Sequence, residues 1–151
     1  MIKKISLFIF VIILSNCAGY NPIYTSSGSN IYVKNIEHKD NTFVSKQIAK
    51  KINSIYSNAN NLKSVSIILN SSNDERILSK DNQGNPLIFE IKIVTEMEVY
   101  YEESLQKFIY TQTKSFNNQE NKFDLKQYKK NLEKDLIENI LEKIVFNLNQ
   151  I

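Results

Sequence analysis

Three features of the 151-residue chain predict an α+β fold, a two-layer sandwich with two amphipathic helices packed on one face of a four-stranded, mostly antiparallel sheet. The first is strict period-two alternation over residues 87–101, where Leu87, Phe89, Ile91, Ile93, Thr95, Met97, Val99 and Tyr101 alternate with a face carrying Glu90, Lys92, Glu96, Glu98 and Glu102 at its end. One apolar and one charged face mark an antiparallel sheet packed on a single side. The second is a pair of segments in which apolar residues recur every three to four positions, residues 42–57 and 125–148. The third is the order strand, helix, strand, long hairpin, helix. Two helices and a one-faced sheet each need a cover, and stacking both helices on one sheet face satisfies all three.

Taken in order, residues 31–37 hold Ile31, Tyr32, Val33 and Ile36 and read as a first strand, ending in the polar turn His38-Lys39-Asp40-Asn41. In the helix that follows, Val44, Ile48, Ile52, Ile55 and Tyr56 form the apolar side, while Ser45, Lys46, Lys50 and Lys51 lie opposite; Thr42 or Asn41 can cap it. Residues 58–61 break that helix. A second strand starts at residue 62 with Val65, Ile67 and Leu69 on one face, and extends to Lys80 with a bulge expected at residues 71–74. The run Asp81-Asn82-Gln83-Gly84-Asn85-Pro86 is a turn, and a second turn near residues 102–104 hands over to a hairpin partner at 105–116, where Phe108, Tyr110 and Phe116 share a face. Asp124 and Gln127 fit a capping box for the last helix, whose stripe is Leu125, Leu132, Leu136, Ile140, Ile144 and Leu148, widened by Tyr128, Ile137, Leu141 and Val145.

The N-terminus has its own signature. Lys3 and Lys4 precede an apolar run over residues 5–14, long enough for the core of a secretory signal and too short for a bilayer, which takes roughly 20 apolar residues. Leu14-Ser15-Asn16-Cys17 then has the layout of a bacterial lipoprotein cleavage site, with Asn16 where a small residue is usual. Cys17 is the one cysteine of the chain, and an acylated thiol needs no disulfide partner. The expected organisation is a lipoprotein signal peptide at 1–16, an acylated tether at 17–30 and a single domain at 31–151. The cofactor class is then nothing beyond covalent acyl and diacylglyceryl groups on Cys17, and several acyl chains make membrane residence permanent. Ala18, where lipoproteins retained in the inner membrane typically carry Asp, favours the periplasmic side of the outer membrane.

Removing the 16 residues before Cys17 leaves 135, one domain's worth of chain. The chain has 19 basic and 16 acidic residues; without Lys3 and Lys4 the balance is 17 to 16, so no strong positive field points to nucleic acid. With one histidine, His38, in a polar turn, and three glycines, the chain shows no His-based triad, no metal-ligand spacing and no phosphate loop. Glu96, Glu98, Glu102 and Glu103 form an acidic strand that reads as a solvated face. The expectation is a binding protein, not an enzyme.

The segment Cys17-Ala18-Gly19-Tyr20-Asn21-Pro22-Ile23-Tyr24 resembles the opening of the LPS-assembly lipoproteins of the LptE (RlpB) family, alphaproteobacterial type, which usually read Cys-Gly-Phe-x-Pro-Leu-Tyr. Here Ala18 is inserted, and Tyr20 and Ile23 replace the usual residues. In element order the likeness covers the whole mature chain. It implies an α/β sandwich that plugs the LptD outer-membrane barrel and helps place lipopolysaccharide in the outer leaflet. Charge and position alone nominate Arg76 and Lys80, flanking the 81–86 turn, and Lys92 behind them, as contacts to lipopolysaccharide phosphates. Two other readings stay open: an adapter lipoprotein of another, ABC-type lipid-transport system, and an envelope hydrolase built on the carboxylates of residues 96–103.

Overall fold

The computed structural model describes residues 30–57 and 63–151. The expected signal peptide, Cys17, the expected tether up to residue 29 and the expected helix break at 58–61 therefore lie outside the described residues. The elements are β1 (Ile31–His38), α1 (Phe43–Tyr56), β2 (Lys63–Lys80), β3 (Pro86–Tyr101), β4 (Ser104–Asn117) and α2 (Lys122–Leu148). The strands form one sheet in the order β1-β2-β3-β4, and both helices lie on the same face of it.

β1 runs parallel to β2, from Ile31 opposite Lys63 to His38 opposite Leu69, with a register shift between Val33 and Asn35. Parallel neighbours need a crossover, and α1 is that crossover. The Thr42 side chain accepts the Ser45 N–H at 3.2 Å and caps α1, which buries Val44, Ile48, Ala49, Ile52 and Tyr56. Ser45, placed by its spacing among the polar residues, is instead fully buried. Its hydroxyl donates to Asp40 Oδ2 at 2.7 Å, and its oxygen is 2.8 Å from Ser71 Oγ, so burial leaves it satisfied.

The same contacts explain why the bulge expected at residues 71–74 is absent. Pairing of β2 with β3 runs unbroken from Ser66 opposite Tyr100 to Ile77 opposite Phe89, and the irregularities fall later, between Ile77 and Ser79 and between Ser79 and Lys80. Ser71 faces the core, but its hydroxyl meets Ser45 and, at 3.1 Å, Thr95 Oγ1. A polar residue with partners beneath the sheet gives the strand no reason to kink.

β3 and β4 form a two-residue hairpin from Tyr101 opposite Ser104 to Ile88 opposite Asn117. Glu102 takes a φ of 52°, a left-handed conformation that costs a residue with a Cβ about 1 kcal/mol. The capping box expected at Asp124 and Gln127 is corrected: Asn121 is the N-cap of α2, its side chain accepting from the N–H groups of Phe123 and Asp124. Asp124 sits inside the first turn, where its charge complements the helix dipole.

Ile48, Ile52, Ile67, Leu69, Ile93, Met97, Ile140 and Ile144 form the centre of one core between sheet and helices. Tyr56 ties α1 to the end of α2, donating to Asn149 Oδ1 at 2.9 Å, and burial pushes its phenol up to about 12. The packed face of β3 holds from Val99 back to Ile91 and fades toward the start of the strand, where Leu87 is exposed. Helix α1 has 14 residues and β2 has 18. At about 1.5 Å per helical and 3.3 Å per strand residue, the helix is roughly a third as long as the strand and cannot cover its far end.

Candidate functional surface

The sheet face turned away from the helices is a polar surface built on the even-numbered residues of β3. Lys107 on β4 donates to Glu98 Oε1 at 2.9 Å, while Lys39 and the Tyr100 hydroxyl donate to Oε2 at 3.2 and 3.1 Å. These donors, Lys107 foremost, hold the Glu98 carboxyl down to about 2. Asn70 reaches Glu96 at 3.3 Å from β2, and further along Arg76 pairs with Glu90. Glu96 and Glu98 thus share a face, as their spacing predicts, and each is engaged by a neighbouring strand. Among the described residues no group of three or more His, Cys, Asp or Glu side chains is arranged to hold a metal ion.

The candidate cations Arg76, Lys80 and Lys92 all lie toward the β2–β3 tip, in an arrangement of mixed sign. Arg76 is opposite Glu90 and bonded to it, and Lys92 is opposite Asp74. Lys80 closes the ladder opposite Pro86 and is exposed. The turn beyond is closed by hydrogen bonds to one side chain. Asp81 Oδ1 accepts the N–H groups of Gln83 and Asn85, each at 2.8 Å, and Oδ2 accepts the Asn85 amide at 2.9 Å. These bonds, the Asn85 side chain's foremost, lower the Asp81 carboxyl below its ordinary range. Gly84 takes a φ of 89°, which only glycine adopts freely.

On the helix side of the same end, Phe89 stacks on Phe116 with centroids 5.5 Å apart, and Tyr128 leans on Phe116 at 5.8 Å. Lys129 lies 4.5 Å over the Phe89 ring while its ammonium donates to Glu75 at 2.6 Å. Ile77, Leu78, Leu87 and Phe123 remain exposed, the last to 72%. Alternation places Phe89 and Phe116 correctly, but nothing local in the sequence signals the role of Lys129.

Asp40, in sequence one residue of a polar turn, has a larger part than its position suggests. β1 ends at His38, and Asp40 Oδ2 accepts the Ser71 N–H at 2.7 Å, taking the place of the next rung of the β1–β2 ladder. Oδ1 accepts the Thr42 N–H at 2.7 Å. Burial raises the carboxyl's proton affinity, but hydrogen bonds from Thr42, Ser45 and Ser71 outweigh it and bring the group down to about 2. The signal available is Asp followed by Thr two residues on and Ser at five, a pattern in which short polar side chains hydrogen-bond nearby backbone.

Solved structures share this architecture. Rare lipoprotein B from Shewanella oneidensis superposes with a TM-score of 0.51 at 15% identity, covering 80% of this chain and 90% of its own. Uncharacterized lipoprotein B from Nitrosomonas europaea gives 0.53 at 16%, covering 79% and 84%. A minor lipoprotein from Acinetobacter baumannii gives 0.53 at 11%, covering 79% and 92%. The chain has the fold of these proteins. No family model and no curated protein matches its sequence.

Proposed function

We propose that this chain is an outer-membrane lipoprotein, acylated at Cys17, that plugs and helps assemble an LptD-type β-barrel and assists insertion of lipopolysaccharide into the outer leaflet. The observation that carries the reading is a coincidence of two independent features. A lipoprotein-type cysteine followed by the Gly-aromatic-x-Pro-aliphatic-Tyr motif of the LptE (RlpB) family precedes a domain with the fold of rare lipoprotein B.

The surface chemistry supports this reading. A plug must present a rigid, solvated face to a polar barrel lumen. The helix-free sheet face offers one, with Glu98 bound by Lys39 and Lys107 and Glu90 by Arg76. The role is binding and assembly, not catalysis. Arg76, Lys80 and Lys92 are proposed contacts to lipopolysaccharide phosphates; with Glu90 and Asp74 opposite two of them, a phosphate would have to compete for Arg76. Unchanged lipopolysaccharide binding in an Arg76→Ala, Lys80→Ala double variant would eliminate that assignment.

The test is an affinity pull-down of the tagged, membrane-extracted full chain after stringent detergent washing, with mass spectrometry of what remains. A large outer-membrane barrel recovered near one-to-one is the expected outcome. Inner-membrane ABC-transporter subunits would instead favour the adapter reading, which shares anchor and fold.

A further inference from the structure

A second charged feature lies far from the hairpin tip. β1 is an edge strand of the sheet, and between it and α1 runs a cleft of about 380 Å³. Its lining includes Lys34, His38, Lys46, Lys50 and Asn53, with Ala49 at its floor, and contains no carboxylate. What sets the cleft apart is that three lysines and a histidine line one depression with no carboxylate among them, whereas five cations elsewhere are met by carboxylates. Lys39 and Lys107 bind Glu98, Lys51 binds Glu138, Arg76 binds Glu90 and Lys129 binds Glu75. Lys34, Lys46 and Lys50 make no ion pair among the described residues, and the residues outside these contain no Asp or Glu. In a mature chain with 17 basic and 16 acidic residues, this is a local excess.

The backbone sets up the convergence. Lys46, Lys50 and Asn53 are spaced by four and three along α1, which places them on one helix face. Lys34 is the extra residue at the β1 register shift between Val33 and Asn35. A bulge re-aims a side chain that a regular strand would hold in register. Lys46 and Lys50 repel each other as an i, i+4 pair, and an anion bound between them would offset that repulsion.

We propose that this cleft is a phosphate-binding site, with Lys34, Lys46 and Lys50 supplying ammonium donors and His38 and Asn53 further hydrogen-bond donors. The group held is a phosphate, carried on a lipid headgroup or free in solution. The headgroup arm rests on the anchoring of Cys17 proposed above: 13 residue steps from Cys17 to Asn30 reach at most about 45 Å, which keeps β1 close to a membrane surface. Phosphate binding itself does not depend on that anchor or on any barrel partner.

The experiment uses the full chain, ¹⁵N-labelled, in nonionic detergent. It is titrated with inorganic phosphate and, separately, with mixed micelles in which phosphatidylglycerol or phosphatidylcholine replaces part of the detergent. Saturable shifts of the Lys46, Lys50 and Lys34 signals are expected. Saturation with inorganic phosphate assigns the site to the free ion. Saturation with phosphatidylglycerol but not phosphatidylcholine assigns it to an anionic headgroup. A Lys46→Gln, Lys50→Gln variant should weaken binding by roughly tenfold or more, since each charge-assisted hydrogen bond to the phosphate supplies a large part of such an affinity. Lys51→Gln, on a lysine already paired with Glu138, should leave it unchanged. Shifts that never saturate with either probe, or equal affinity in the double variant, overturn the proposal.

Discussion

Replacing Asp40 with Asn should destabilise the fold at neutral pH and do almost nothing in acid. The carboxylate accepts three hydrogen bonds, from Thr42 N–H, Ser45 Oγ and Ser71 N–H, each at 2.7 Å. Its proton affinity falls from an ordinary 3.8 to about 2. At about 1.4 kcal/mol per unit this corresponds to roughly 2.5 kcal/mol. Since the group is only partly buried, solvent screening trims the expectation to about 1–2 kcal/mol. A carboxyl whose affinity is depressed on folding contributes stability above its unfolded value and loses it as pH falls. The contribution is therefore complete above about pH 5, lost progressively as pH falls through 3.8 and 2, and largely gone by about pH 2. Urea unfolding of wild type and Asp40→Asn, followed by far-UV circular dichroism at pH 7, 4, 3 and 2, measures the gap directly. Other carboxylates titrate in the same range, Glu98 among them, but cancel in the difference between the two proteins. A gap that is absent at pH 7, or that persists undiminished at pH 2, would refute the reasoning.

Asn121→Ala should cost about 1 kcal/mol of thermal stability and Asp124→Ala clearly less, because the first removes the side chain that caps α2 and the second only a dipole-complementing charge. Amide exchange at Phe123 and Asp124 should accelerate in the first variant alone. Ile144→Ala, at a fully buried position on α2, should cost about 2–5 kcal/mol in urea unfolding. Tyr56→Phe should cost about 0.5–1.5 kcal/mol through loss of the bond to Asn149. Spectrophotometric titration should show that phenol ionising near 12, and stability should fall between pH 10 and 12 because the folded state keeps the proton that the unfolded state gives up.

Periodicity made most of the architecture legible. Alternation over residues 87–101 and the two helical stripes are direct imprints of burial, and Ile91, Ile93, Met97, Val99 and the α2 stripe are buried as that pattern requires, except Tyr128 at the stripe's margin, which stays exposed. What it could not show are positions where a polar side chain is buried because a distant partner meets it. Ser45, Ser71 and Thr95 come from three elements and satisfy one another only once the sheet and α1 are assembled. The cap of α2 is ambiguous in sequence because Asn121 and Asp124 both suit a helix start, and the choice between them rests on backbone geometry. Candidate cations could be picked by sign and position, but not their compensation. That Arg76 meets Glu90 depends on β2–β3 register, whereas Lys34, Lys46 and Lys50 come together only through the crossover and the β1 shift.

The unequal lengths of the strands divide the molecule into parts that can change at different rates. β1 is paired with β2 only as far as Leu69, and from residue 72 to 78 every β2 side chain is exposed. Substitutions there touch neither α1 nor the central core; apart from the surface bonds of Asn73 to Glu133 and Glu75 to Lys129 on α2, they need only preserve strand propensity and the ladder to β3. Residues 63–71 have no such latitude, since Val65, Ile67, Leu69 and Ser71 are fixed by what lies beneath them. A single strand is thus conservative at one end and free to diversify at the other, so surface recognition at the hairpin end can be retuned while the packing that defines the fold stays the same.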